Sequence, residues 1–288
     1  MLNIYEQVER NKTRSAVVIA VFVLFLVAFF WLLGQFFSSD QSLVFWAIVF
    51  SLFSSLGSYF WGDKIILAIS QAKPANKEEY FNFYTVAENL AIASQIPLPK
   101  LYVIESAAMN AFATGRDPQH AVVCVTTGLV ERLTRSELEG VIAHEYSHIL
   151  NFDIRLMMIV AVLVGSISLV SDWIARGRLS ARKEKSEANS VFLPIAFIFL
   201  IFSPLIAKLI QLAISRRREY LADASAVKLT KQPQGLIAAL KKLSESNLEL
   251  KTATTATAHL YIVRPKMATL FSTHPPIEER INILEKML

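Results

Sequence analysis

The 288-residue sequence holds a single cysteine, Cys124, and only 18% of its residues are charged. A lone cysteine excludes an intramolecular disulfide, and its apolar neighbours make Cys124 a small buried residue rather than a nucleophile. The net charge is only +5, part of it in Arg and Lys clusters beside apolar blocks, so nucleic acid is not an expected partner. There is no Arg- and Ser-rich, acid-poor presequence, which favours a bacterial plasma membrane over a mitochondrial one. No internal repeat is present. What the chain has instead is apolar mass: 53% hydrophobic residues and a mean hydropathy of +0.42. That composition is expected of an integral membrane protein.

The apolar residues come in blocks. Residues 16–37 run about 22 positions without a charge, enough to cross a bilayer core of about 30 Å as a helix. The block is longer than a signal-peptide core and lacks a small-x-small cleavage site, so it is expected to be retained. A polar link at 38–42 leads to a second uncharged block at 43–61, giving a hairpin. Arg10, Lys12 and Arg14 precede it, Lys64, Lys73 and Lys77 follow it, and the link has no basic residue. Both outer flanks are therefore expected on the cytoplasmic side. Two shorter blocks, 156–171 and 191–207, enclose Arg176, Arg178, Arg182, Lys183 and Lys185, a placement that opposes two further full crossings. A re-entrant hairpin is the alternative; about four spans is the expectation.

Between the block pairs lies a soluble unit. Apolar residues at helical spacing predict a helix over 77–96, stopped by Pro97 and Pro99, and short strands over 101–104, 107–115 and 121–127. Near the C-terminus helices are expected over 234–243 and 278–288, with a Thr/Ala-rich stretch at 251–259. The organisation is thus a hairpin at 1–62, a soluble part at 63–152, a second membrane or embedded hairpin at 153–214, and a second soluble part at 215–288.

His144, Glu145 and His148 form an H-E-x-x-H sequence. Residues four apart share a helix face, so both imidazoles can meet one metal ion, and Glu145 is placed to polarise the attacking water. Thr134 and Glu137 read as a capping box, and Leu138, Val141, Ile142, Ile149 and Leu150 recur at helical spacing, predicting a helix over 135–152. Two histidines on a buried helix also occur as ordinary core residues, so a third ligand matters. Glu219 and Asp223 share a face on a later helix; Glu219 is the natural third ligand, and Asp223 can orient a ligand histidine. Their plainer role is pairing with Arg216, Arg217 and Arg218.

Four stretches together, NAFATG at 110–115, HEYSH at 144–148, RREYLAD at 217–223 and THPPIEERI at 273–281, closely resemble the HtpX membrane zinc metalloproteases. The resemblance runs essentially end to end, with no departure at a ligand position. It implies a zincin-like domain with a small sheet, attached to about four transmembrane helices of a mainly α protein. It also implies one zinc per chain on His144, His148 and Glu219, with Glu145 catalytic. Asp223, His274 and Arg280 would support the ligands or the transition state, while Asn110, Ala111, Phe112 and Ala113 would line the substrate cleft. The implied partners are the lipid bilayer and unfolded or misfolded membrane proteins, cleaved on the cytoplasmic side of a bacterial inner membrane in a stress response. Two alternatives remain at this point: a CAAX-type prenyl protein endopeptidase, and a non-enzymatic scaffold with a structural metal.

Overall fold

The computed structural model describes residues 4–36, 42–165, 216–246, 248, 250, 252–254, 256–262 and 275–287. The protein is mostly helical with one small sheet. Helices α1 (Ile4–Phe36) and α2 (Ser42–Ile69) come first, each running beyond the apolar block that predicts it. Strand β1 (Lys73–Pro74) and helix α3 (Phe81–Ser94) lead to β2 (Lys100–Ile104), β3 (Ala111–Thr114) and β4 (Val122–Thr126). A short α4 (Thr127–Arg132) precedes α5 (Arg135–Leu150), which is followed by α6, described over Asp153–Gly165. Beyond the next stretch stand α7 (Arg216–Thr230), α8 (Pro233–Glu245) and α9 (Ile277–Glu285).

The sheet order is β1-β2-β4-β3, with β2 parallel to β4 and β3 antiparallel to it at the edge. The strand expected over 107–115 is shorter because N–H groups within residues 105–110 are met by the side chains of Thr126 and Thr127. Ser106 N–H donates to the Thr127 hydroxyl, and Asn110 N–H donates to the Thr126 hydroxyl. These side chains replace the ladder partners that a longer strand would need.

α5 starts as its sequence predicts. The Thr134 hydroxyl accepts from Glu137 N–H, and the Glu137 carboxylate accepts from Thr134 N–H at 2.7 Å. Leu138, Val141, Ile142 and Ile149 are buried with Phe83 and Leu90 of α3, Val123 and Val125 of β4, and Leu236 and Leu240 of α8. Each such side chain contributes roughly 1.5–3 kcal/mol on burial. The close crossing of α5 and α8 depends on Gly140, where a Cβ would meet the Leu236 backbone nitrogen at 2.6 Å.

α5 ends at Leu150, two residues before the expected boundary. Phe152 takes a left-handed conformation with φ 57°, and α6 leaves at 84° to α5. Val18 and Phe22 of α1 pack on Leu156, Ile159, Val160 and Leu163 of α6. Other apolar side chains face outward, among them Leu24 at 69% exposure and Phe53 at 74%. Among the described residues no single helix is long and apolar enough to cross a membrane; the bent pair of α5 and α6 meets that test by length and composition. The 191–207 block and the basic loop before it lie outside the described residues, as does His274.

Candidate metal centre

The first two candidate ligands lie one turn apart on α5, and the third is on α7. His144 Nε2 and His148 Nε2 are 3.2 Å apart, and the Glu219 carboxylate oxygens lie 3.6 Å from the former and 3.8 Å from the latter. One ligand atom from each of the three residues falls within 4.8 Å of the other two, and all three side chains are buried. Ligands about 2.0–2.1 Å from a tetrahedral zinc would sit ~3.3 Å from one another, close to these separations.

The other nitrogen of each ring supplies a second test of fit. His144 Nδ1 lies 2.9 Å from Asp223 Oδ1, and His148 Nδ1 lies 3.0 Å from Asp153 Oδ2. A carboxylate beside Nδ1 accepts a hydrogen bond from that nitrogen's N–H, leaving the lone pair on Nε2. Two such lone pairs 3.2 Å apart need a shared electrophile, either a proton or a metal ion. The donor set therefore fits zinc.

The same carboxylates dominate the electrostatics of the metal-free cluster. Burial alone would lower the His144 pKa, but the bonds to Asp223 and Glu219 outweigh it and push the value up to about 9. Burial would raise Asp223, yet Arg280 and His144 hold it down to about 2. Arg280 is itself buried and bidentate, donating from Nε at 2.8 Å and Nη2 at 2.6 Å to the two Asp223 oxygens. Nη2 also lies 3.4 Å from His144 Nδ1, so Arg280 braces the carboxylate that holds His144 and reaches the edge of the ring itself.

Glu145 is 2% exposed, and burial raises its carboxyl pKa. His144 and His148 oppose the rise, as does the nearby Ala113 backbone of β3. A carboxylate poised above its ordinary value is suited to accept and return a proton near neutral pH. Asn110, Ala111, Phe112 and Ala113 are all buried on or beside edge strand β3. Part of that edge is already occupied: Ala111 N–H donates to Asn110 Oδ1, and Ala111 C=O accepts from Ile262 N–H. His259 is buried, its Nε2 at 3.1 Å from the Met157 carbonyl.

Sequence reasoning missed three groups around His148. Asp153 is five positions along, which on a straight helix would lie ~140° around from it. The 84° turn brings it back. Arg218 Nη1 lies 3.5 Å from Asp153 Oδ1, and Asn11 Nδ2 of α1 donates to the same oxygen at 2.7 Å. The polar pair Asn151 and Asp153 at the helix end was the available signal for the first; nothing local marked Asn11.

Comparisons with known proteins bear on the whole chain. A model described as "Peptidase family M48" matches residues 82–288. A "Protease HtpX homolog" of Dictyoglomus turgidum is 41% identical, covering 98% of this chain and 94% of its own. Proteins of the same description from Thermoanaerobacter pseudethanolicus (41%, 99% and 98%) and Streptococcus uberis (38%, 99% and 100%) are similar over nearly their full lengths. Among solved structures, Ste24p of S. mikatae is similar with a TM-score of 0.47 at 23% identity, over 91% of this chain and 61% of that one. The chain belongs to peptidase family M48, within its HtpX-type proteases.

Proposed function

We propose that this metalloprotease is a zinc-dependent endopeptidase anchored in a bacterial inner membrane, with its active site facing the cytoplasm, and that it cleaves misfolded or damaged membrane proteins. The observation that carries the reading is the convergence of His144, His148 and Glu219 beside the buried Glu145. A zinc ion held by those three side chains would supply Lewis acidity toward a peptide carbonyl and lower the pKa of water. Glu145 takes a proton from the attacking water and returns it to the leaving amine. Asp223 and Asp153 keep both imidazoles in the tautomer that leaves Nε2 free, and Arg280 fixes Asp223 in place.

An extended peptide would lie along what is left of the β3 edge, where backbone pairing demands little of its sequence. That tolerance suits a quality-control substrate range. Membrane anchorage is supported by α1 and α2, whose outward apolar side chains need a nonaqueous neighbour. A structural metal site would use a fourth protein ligand, whereas the cluster among the described residues has three.

The test is proteolysis of unfolded casein by detergent-purified protein. Wild type should cleave it, and Glu145→Gln should lower the rate by ~10²–10⁴-fold while still holding zinc. Full activity in Glu145→Gln would remove the proposed mechanism.

A further inference from the structure

We infer that Asn11, on the N-terminal helix α1, is a positioning residue of the metal centre, acting through Asp153 on the ligand His148. The inference rests on the metal reading above. Asn11 is 2% exposed, and its side-chain amide spends its donors on the bend between α5 and α6. Nδ2 donates to Asp153 Oδ1 at 2.7 Å and to the Asn151 carbonyl at 2.9 Å.

The first bond matters because of what the other Asp153 oxygen does. Oδ2 faces His148 Nδ1 at 3.0 Å, so Asp153 lies between an amide on α1 and a ring on α5. A carboxylate gripped at one oxygen can still turn about its Cβ–Cγ bond. Gripped at both, it holds the imidazole plane and the direction of the Nε2 lone pair. Arg218 approaches Oδ1 too, but at 3.5 Å, the limit of hydrogen bonding. Asn11 therefore makes the shortest contact to that oxygen.

The second bond fixes the same point from the backbone side. The Asn151 carbonyl lies at the C-terminal end of α5, where the helix has no further turn to satisfy it. Asn11 thus clamps both the carboxylate and the main chain of the bend. Its own position is set by packing along one face of α1: Ser15, Val18 and Phe22 follow it at helical spacing and are all buried. Ser15 hydroxyl donates to the Asn11 carbonyl at 2.9 Å, and Val18 and Phe22 are seated on α6. The helix that sequence analysis treats as an anchor thereby reaches into the support of a zinc ligand, 137 positions away in the chain (148 − 11 = 137).

The experiment measures zinc affinity, by competition with a chelator, on the full chain in detergent, together with kcat and KM on casein. The variants are Asn11→Leu, the same-sized Asn11→Asp, Asp153→Ala, the double variant Asn11→Leu/Asp153→Ala, and Thr13→Ala as a control on the exposed face of α1. Asn11→Leu and Asn11→Asp should each weaken zinc binding by ~10–100-fold, the range seen when a group behind a ligand histidine is lost. Thr13→Ala should bind as wild type does. In the double variant, removing Asn11 should add nothing to the loss caused by Asp153→Ala, because the effect passes through that carboxylate. Unchanged zinc affinity in folded Asn11→Leu or Asn11→Asp overturns the inference while leaving the metalloprotease reading intact. A loss that is undiminished in the Asp153→Ala background overturns it as well, since Asn11 would then act by another route. Wild type that holds no zinc overturns both readings together.

Discussion

His144 and His148 are one turn apart on a single helix, yet their rings are held by different elements. Behind His144 stand Asp223 on α7 and Arg280 on α9, a fully buried ion pair with two short hydrogen bonds. Behind His148 stands Asp153, at the start of α6, gripped by an amide from α1 and more distantly by Arg218. The two supports use different chemistry for one task. The first balances a buried charge with a charge; the second meets its carboxylate closely with a neutral donor. Sensitivity to substitution should therefore be unequal on the two sides, even though the ligands are equivalent.

Arg280→Met should break the His144 side most severely. It leaves Asp223 buried without its cation, which costs about 3–5 kcal/mol, read as a loss of stability in metal-free protein. The acid limb should move with it. Because Asp223 is held down to about 2, its contribution is complete above the ordinary carboxylate value of 3.8 and disappears as pH falls through about 2. Without Arg280, acid destabilisation should begin at higher pH. Arg218→Met tests the other side and should cost less, about 1.5 kcal/mol, since its contact with Asp153 is long and Asn11 remains. Equal losses for the two arginines would erase the proposed asymmetry.

Two smaller changes ask whether the helix beneath both ligands matters as much as the groups behind them. The Tyr146 hydroxyl donates to the Ala87 carbonyl of α3 at 2.7 Å, and Tyr146→Phe should cost about 1 kcal/mol without altering zinc affinity. At the start of α5, burial would raise the Glu137 carboxyl, but Lys242 and Thr134 overcome it and hold it below the ordinary range. Its contribution is present above that range and is lost as pH falls below it. Glu137→Gln should therefore cost about 0.5 kcal/mol near neutral pH and flatten the acid dependence.

The sequence made the site's local parts legible. An i, i+4 histidine pair, a capping box and a periodic apolar face depend only on neighbours along one helix, so α5 could be located and its start predicted. Glu219 and Asp223 were recognisable as a pair for the same reason. The helix end at Leu150 was not, because the turn at Phe152 depends on α6 finding its place against α1. Asn11 lay hidden among Arg10, Lys12 and Arg14, where polarity already had an explanation in membrane flanking. The motif that holds Arg280 implies a place near the site, but its engagement with Asp223 reflects the packing of α9 on α7 and α8 rather than anything within that motif. Long-range partners of this kind leave no periodic trace.

The most direct test is the zinc content of the purified full chain beside that of Glu219→Ala. One zinc per wild-type chain, with binding weakened in Glu219→Ala, is the predicted result. Wild type without zinc, or zinc bound equally well after loss of Glu219, would contradict a centre built from His144, His148 and Glu219.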